Sequence, residues 1–485
     1  MRSIDCNRAC HWNSMSVGMV ARTAYVVAPR WSCGVAAPVV FACHPGCRSP
    51  DVQRRRRKAD TVPKTPTGLA GSCIADRKRH PVTVPTDSSA ISPISARQRW
   101  RLRVYPVASL LVLAVVVVLV TIATDPGDGR VGGDYPAFYA AGEIARSGDW
   151  DSLYDPAVQQ QVQAGLIDDE GGFLYFAYPP FVAATYGITT GLGYSASFLL
   201  QVAVMGIALA FAVALMRPAV RAIEQAPLAA YALALFFYPM LVAVVGGQNT
   251  ALTLALIVVA AWTEDNDREW LAGVAIGLLF YKPQFALPLL LLLLIGRRWK
   301  GAAGAVMTAV VLWVASALLM GSDWVSVWWS EATDFAATNA EVNAHLFVSF
   351  PGLAEHVAGD AGAVVGWLLA VGVAFVLAWF WWRLGGRQPW VRYGAAAAGL
   401  ALIVPQALFY EAGLLVLPLA LLWTMETGRR RWVMLLWAGA WLQVFSSSLD
   451  VSPLFITVVV TFVWYVIAIR PTLAGPRAAG GITAV

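Results

Sequence analysis

The sequence predicts an all-α, multi-spanning integral membrane protein. Of its 485 residues, 58% are hydrophobic and 13% are charged, and the mean hydropathy is +0.61. A soluble protein carries about 25% charged residues, so the repeated apolar runs of this chain need lipid around them. The composition therefore excludes a disordered chain, a soluble Rossmann or TIM-barrel enzyme and a nucleic-acid-binding domain. The apolar residues do not alternate with period two, which excludes an outer-membrane barrel.

The N-terminal hundred residues differ in kind from the rest of the chain. Residues 1–103 carry 18 Lys and Arg against 5 Asp and Glu, whereas residues 104–485 carry 17 against 24. All six cysteines also precede the first apolar run. We interpret residues 1–99 as a disordered basic extension, or as the product of a start codon assigned too far upstream. A small zinc module or a basic arm on anionic lipid is the alternative.

Basic clusters predict the topology through the positive-inside rule. The first span, 104–123, follows four arginines, so its N-terminus is expected in the cytoplasm. Placing the later basic clusters inside predicts about twelve spans, a cytoplasmic C-terminal tail at 476–485 and a membrane domain over 100–475. The other eleven spans are 196–216, 227–246, 249–263, 270–282, 283–296, 301–320, 361–382, 393–411, 412–426, 432–448 and 453–469. The acidic segments 124–195 and 321–360 then become outer loops.

The first outer loop has two further features. Residues 174–192 are apolar enough to span, yet a crossing there would put Arg217 and Arg221 outside. We therefore predict a re-entrant or interfacial segment, broken by Pro179-Pro180. The residues from Tyr135 to Arg146 have the pattern of an amphipathic helix that lies along the membrane surface.

The candidate site consists of polar and aromatic residues that this topology places at the outer ends of the spans. Such groups are costly at membrane depth and therefore indicate function. They are Asp134, Tyr135, Tyr178, Gln248, Asn249, Lys282, Gln284, His345 and Glu411. Structural alternatives stay open: Asp134 as a helix cap, Gln248-Asn249 as a tight turn, Lys282 as a snorkelling side chain and His345 as an exposed histidine.

Four segments, taken in order, resemble glycosyltransferase family 87. They are Asp134 with Phe138-Tyr139-Ala140-Ala141, then Tyr175-Phe176-Ala177-Tyr178-Pro179-Pro180, then Gly247-Gln248-Asn249 with Leu252, and last Lys282-Pro283-Gln284. The resemblance spans residues 104–470 and implies a GT-C-type transmembrane helix bundle. It also implies a hexosyltransferase of the α-mannosyltransferase type in the plasma membrane. Such an enzyme takes its sugar from a polyprenyl-phosphate donor at the outer face and gives it to a glycolipid or glycan acceptor.

The resemblance also implies roles for individual residues. The family's catalytic aspartate falls on Asp134, the expected general base, and a histidine of a later outer loop falls on His345. We expect Lys282 to contact the leaving phosphate, because a fixed cation stabilises the charge that develops there. The expected substrate-binding residues are Lys282, Gln248, Asn249, Gln284, Tyr135, Tyr178 and Glu411. One base with direct attack predicts inversion at the anomeric carbon, and neither a cofactor, a metal nor a nucleic-acid partner is expected.

Two other membrane activities compete with this interpretation. A polytopic transporter or lipid-linked-sugar flippase predicts internal repeats and ionisable residues in mid-span, but no convincing inverted repeat is found. An O-antigen ligase or polymerase predicts a long outer loop with arginines, and residues 321–360 contain none. The glycosyltransferase is therefore favoured, with the donor sugar left open between mannose and arabinofuranose.

Overall fold

The computed structural model describes residues 133–164, 166 and 174–473, and the regular elements within them are helical. Between the helices of this part of the chain, Phe347 and Leu408 form an isolated antiparallel bridge. The predicted extension 1–99, the first span 104–123 and the tail 476–485 lie outside the described residues. The all-α prediction is confirmed for the described part of the chain.

The first predicted outer loop contains three helices, α1 (Tyr135–Ser147), α2 (Pro156–Gln163) and α3 (Pro180–Thr190). Helix α3 begins at Pro180, where the break was predicted, because proline fits the first turn of a helix. Helix α1 packs against α3, and nine of its thirteen residues are buried. The predicted helix after Asp134 is therefore present, and much of its surface is covered by protein.

The later helices follow one another through short turns. They are α4 (Tyr194–Leu215), α5 (Arg221–Gln225), α6 (Pro227–Leu235), α7 (Tyr238–Val245), α8 (Thr250–Asp265), α9 (Glu269–Leu278), α10 (Pro283–Ile295), α11 (Trp299–Met320), α12 (Trp324–Val342), α13 (Phe350–Leu384), α14 (Pro389–Ile403), α15 (Val416–Met425), α16 (Arg430–Gly439), α17 (Ser446–Leu449) and α18 (Leu454–Leu473). Two short 3₁₀ segments matter for the site, Leu279–Tyr281 before α10 and Phe409–Leu415 before α15.

Several described helices are long and apolar enough to cross a membrane. Five pass this test: Tyr194–Leu215, Trp299–Met320, Phe350–Leu384, Thr427–Leu449 and Leu454–Thr472. The pair α6 and α7, bent by 74°, gives a sixth if it is counted as one span. Shorter apolar helices lie at the places of other predicted spans, at Glu269–Tyr281, Pro283–Ile295 and Phe409–Met425. A multi-pass membrane protein is thus supported, while the count of twelve spans stays a prediction.

Helix α8 lies at the centre of the fold. It contacts α4, α7, α9 and α14, and eleven of its sixteen residues are buried. At 1.5 Å per residue, a helix of this length extends over about 24 Å. The helix begins after Gln248-Asn249 and ends at Glu264-Asp265, so its two ends lie in different parts of the molecule. Each end carries a cluster of buried charges.

Helices α9 and α11 approach each other through glycines. A Cβ at Gly273 would overlap the carbonyl oxygen of Gly301, and a Cβ at Gly304 would lie 2.6 Å from the carbonyl oxygen of Trp270. Small residues at such contacts let helix backbones come close together, as is typical of membrane helices. The tight contact fixes α9, which leads through Leu279–Tyr281 to Lys282.

Candidate active site

The backbone around Asp134 places this residue against the turn between α7 and α8. Gly133 has a φ of +56°, and a Cβ there would lie 3.1 Å from the Cα of Gly246, so glycine permits this close approach. The amide of Asp134 donates a hydrogen bond of 3.1 Å to the carbonyl oxygen of Gly246. The Nε2 group of Gln248, two residues later, donates to the Asp134 carboxylate.

The carboxylate of Asp134 does not cap α1. Asp134 occupies the position before the helix, but its side chain makes no capping hydrogen bond, whereas a cap accepts one from a backbone amide of the first turn. Burial raises the pKa of Asp134, and the Gln248 hydrogen bond and the Lys282 charge act in the opposite direction. The geometry therefore argues against the capping alternative and leaves a carboxylate aimed at other polar side chains.

Lys282 and Glu411 form a buried ion pair near Asp134. The ammonium Nζ donates to Oε1 of Glu411, and the two side chains are 3% and 7% exposed. The hydroxyl of Thr250, at the start of α8, donates to the other carboxylate oxygen at 3.4 Å. The ammonium lies 6.0 Å from the centre of the Tyr410 ring. Lys282 is thus an enclosed, paired cation, and this geometry argues against a snorkelling side chain.

The two predicted amides have different surroundings. Oδ1 of Asn249 accepts from the hydroxyl of Tyr186 at 2.9 Å and from Nε2 of Gln201 at 3.0 Å. Its backbone oxygen accepts from the hydroxyl of Tyr281 at 3.1 Å. Gln248 uses Nε2 for Asp134, while its buried Oε1 has no hydrogen-bond partner among the described residues. Asn249 therefore ties helices together, whereas Gln248 keeps one acceptor without a partner among the described residues.

Tyr178 lies at the aromatic side of the site. Its ring is 5.0 Å from that of Phe138 and stacks on that of Tyr281, 6.4 Å away at an angle of 11°. Burial, followed by the charges of Glu411 and Asp134, raises its pKa well above the usual value. The charges of both carboxylates of the site therefore act on the Tyr178 phenol.

Tyr135 belongs to a neighbouring aromatic cluster. Its ring lies 5.4 Å from Phe198, 5.6 Å from Tyr194 and 6.1 Å from Tyr186. Burial is the main cause that raises its pKa to about 12. These contacts make Tyr135 a packing residue where α1 meets α4.

Two further predicted residues are not gathered around Asp134. Gln284 is exposed on the first turn of α10. His345 is half-buried, and burial lowers its pKa; Asp450 and His356 are the titratable groups near it. Nε2 of His356 lies 2.8 Å from the backbone oxygen of Asp450. His345 thus forms part of a second polar cluster.

The loop after His345 nevertheless touches the segment that carries Glu411. The amide of Val348 donates to the carbonyl oxygen of Ala407 at 2.8 Å, next to the bridge between Phe347 and Leu408. Within the described ranges, no group of three or more His, Cys, Asp or Glu is arranged to hold a metal ion.

Helix α12 covers this end of the molecule. Nε1 of Trp328 donates to the carbonyl oxygen of Ala177 at 3.1 Å, and Nε2 of Gln406 donates to that of Ala336 at 2.9 Å. On the same helix, burial and the neighbouring Asp334 raise the pKa of Glu331 to about 7. The helix therefore bridges the segment before Tyr178 and the segment before Glu411.

The sequence did not single out Gln201, Tyr186 or Thr250, although all three bind site residues. Gln201 could have been predicted from the sequence, because an amide inside the apolar span 196–216 needs a hydrogen-bond partner. Tyr186 and Thr250 could not, since aromatic and small hydroxyl residues are common in apolar helices for packing reasons alone.

The model of glycosyltransferase family 87 matches residues 176–405 of the chain. The matched range contains Tyr178, Gln248, Asn249, Lys282 and His345, follows Asp134 and ends before Glu411. No curated protein and no solved structure gives a significant match. The resemblance noted from the motifs is therefore confirmed over this range.

Proposed function

We propose that this chain, whose residues 176–405 match the model of glycosyltransferase family 87, is a membrane glycosyltransferase that moves mannose from a polyprenyl-phosphate donor. The acceptor is a hydroxyl of a glycolipid or glycan at the outer face of the cytoplasmic membrane. Asp134 is the general base of this reaction, and the Lys282 ammonium binds the phosphate. These assignments rest on the family's activity and on the geometry around Asp134.

One observation carries the proposal: the Asp134 carboxylate is held between an amide donor and a nearby cation instead of capping its helix. Gln248 Nε2 orients the carboxylate, and Lys282 lies close enough to act on its charge. A general base works best when its pKa approaches the working pH. Burial moves the pKa of Asp134 in that direction.

The reaction balances with these groups alone. The acceptor oxygen forms a bond to the anomeric carbon of the sugar, and the bond from that carbon to the phosphate oxygen breaks. The electron pair leaves with the polyprenyl phosphate, and the proton of the acceptor hydroxyl passes to Asp134. Because attack and departure occur on opposite faces of the sugar, the anomeric configuration inverts.

The experiment uses the full chain in lipid vesicles with radiolabelled polyprenyl-phosphate mannose and a membrane glycolipid extract. We expect Asp134→Asn to lower sugar transfer by about 10² to 10⁴-fold, with the thermal unfolding transition unchanged. Asp155→Asn is the matched control, since the Asp155 carboxylate accepts a hydrogen bond from the amide of Ala157 as the cap of α2. It should leave transfer unchanged.

The outcomes separate the parts of the proposal. Full transfer by folded Asp134→Asn would overturn Asp134 as the base. Transfer from polyprenyl-phosphate arabinofuranose but not from the mannose donor would correct the sugar. Movement of the labelled lipid across the vesicle without transfer would favour the flippase.

A further inference from the structure

The charges around the ion pair do not balance. The Lys282 ammonium contacts Glu411, and Asp134 lies close enough for the same ammonium to act on its pKa. With both acids ionised, this group carries one positive and two negative charges. A sugar phosphodiester adds a further negative charge, which a buried site accepts only with compensation.

The only described cation in contact with this group is already occupied. Lys282 Nζ donates to Glu411, and in the described ranges its ion pairs include no other carboxylate. A phosphate that binds Lys282 must therefore share it with Glu411 or displace Glu411 from it. Displacement leaves a buried carboxylate next to an anion, and such a carboxylate strongly favours the protonated form.

We propose that Glu411 is a positioning residue that holds Lys282 in the empty site and takes up a proton when the donor phosphate displaces it. This inference rests on the proposed function, because it concerns the phosphate of the same donor. The exchange breaks no covalent bond: the ammonium keeps its three protons, the proton comes from solvent, and the carboxylate becomes a carboxylic acid. The bound complex then carries no more net charge than the empty site.

The surroundings of Glu411 fit both of its states. The hydroxyl of Thr250 lies 3.4 Å from Oε2, and a hydroxyl donates to a carboxylate as readily as it accepts from a carboxylic acid. The charged and titratable groups near Glu411 are Lys282, Tyr178, Tyr281 and its chain neighbour Tyr410. The charge of Asp134 also acts on Tyr178 and Tyr410. No second cation among these groups replaces Lys282 when the phosphate takes it.

Asp134 is the other acid that could accept the proton. It is excluded by its role in the reaction, because a general base must be ionised when the acceptor hydroxyl reacts. It also keeps its hydrogen bond from Gln248 Nε2, which favours the ionised form. Glu411, by contrast, loses its ammonium partner in the exchange.

The first test measures the proton directly on the full-length wild type in detergent. The probe is a phosphonate analogue of a prenyl-phosphate mannose, in which carbon replaces the anomeric oxygen so that no transfer occurs. Calorimetric titrations in two buffers of different ionisation enthalpy give the number of protons taken up. Charge balance predicts about one proton per bound phosphonate near neutral pH, and none for a prenyl mannoside that lacks the phosphate.

The second test uses variants. For wild type, the Kd of the phosphonate should rise about tenfold per pH unit between the pH at which Glu411 ionises in the empty site and the higher pH at which it ionises in the complex. Glu411→Gln should remove this dependence and bind the phosphonate more tightly at alkaline pH. A residue that only supports the fold would weaken binding when changed. Asp134→Asn should keep the dependence, and Glu426→Gln, in a more exposed pair with Arg429 at 3.5 Å, should behave as wild type.

Each result decides the inference. Phosphonate binding without proton uptake by wild type overturns it and leaves the proposed function standing. Loss of the pH dependence in Asp134→Asn but not in Glu411→Gln assigns the proton to Asp134 and also overturns it. If wild type binds neither probe, the donor assignment fails together with the inference. Should Glu411→Gln not fold, the calorimetric result on wild type decides alone.

Discussion

The two ends of α8 carry buried charges of different kinds. At its beginning, the ammonium of Lys282 is paired with Glu411. At its end, Oε1 of Glu264 accepts from Arg392 at 2.5 Å and lies 2.6 Å from Arg298. Arg298 also contacts Glu269 at 2.9 Å. The second cluster joins α8, α9, the start of α11 and α14 through fixed guanidinium contacts.

The balance of charge separates the two clusters. Two guanidiniums face two carboxylates at the end of α8, whereas one ammonium faces Glu411 and Asp134 at its beginning. Arg392 is fully buried with its guanidinium 4.6 Å from the Trp381 ring. Arginine does not lose its proton in proteins and binds carboxylates in a rigid, planar geometry, whereas lysine is a flexible point charge.

The two clusters at the ends of α8 are therefore suited to different roles. A balanced set of guanidiniums and carboxylates has no charge to exchange and is suited to holding helices together. A cluster with a surplus carboxylate and a movable ammonium can change partners when an anion arrives. Changes in the balanced cluster should therefore lower stability, whereas changes around Lys282 should lower transfer.

The largest expected effect is on stability, from Glu264→Gln. This change leaves the buried Arg392 without its carboxylate, and an unpaired buried charge costs about 3–5 kcal/mol. We expect the free energy of unfolding in detergent to fall by this amount. Glu426→Gln, which breaks a more exposed pair, should change it by less than about 0.5 kcal/mol. Equal losses for both variants would contradict a structural role for the inner cluster.

Lys282→Gln should affect catalysis more than stability. Glu411 loses its ammonium but can take up a proton, so the fold is largely retained, whereas the leaving phosphate loses its cation. We expect transfer to fall by about 10² to 10³-fold, as when one preorganised donor to a developing charge is removed. Initial rates and melting temperatures of the same preparation give both numbers. A variant that transfers at the wild-type rate would refute the phosphate contact.

Gln248→Leu should shift the pH profile of transfer. Burial raises the pKa of Asp134, and the hydrogen bond from Gln248 lowers it. Removing that donor therefore raises the pKa further. A general base is active above its pKa and is lost as the pH falls through it, so the acid limb of kcat/KM should move to higher pH. A shift to lower pH, or none in a folded variant, would contradict the assignment of this limb to Asp134.

The sequence predicted the helical class and the group around Asp134 because both leave local signals. Such signals can be recognised in the sequence alone: they are the apolar runs, the prolines at breaks and the polar residues at span ends. The site group of Asp134, Gln248, Lys282 and Glu411 was predicted from topology, and the structure brings these residues to one end of α8.

The sequence could not show which charged side chains form ion pairs with one another. The basic clusters that set the predicted topology include Arg298 and Arg392, yet the structure buries Arg392 completely against Glu264. In the same way, Lys282 was predicted as a phosphate ligand without its partner Glu411, 129 positions later in the chain. Such pairs depend on tertiary packing, and no local pattern encodes them.

The smallest expected effect concerns His345, and it tests how far the site extends. The titratable groups near this residue are Asp450 and His356, and its loop reaches the Glu411 segment through backbone contacts such as that between Val348 and Ala407. A residue that does not touch the reacting atoms should affect transfer mainly through packing, so we expect His345→Ala to lower kcat by less than about tenfold. His356→Ala is the matched control in the same cluster. If His345→Ala alone abolishes transfer while both variants melt like wild type, the site includes this histidine, and the loop at Val348 must carry it toward Asp134 when substrate binds.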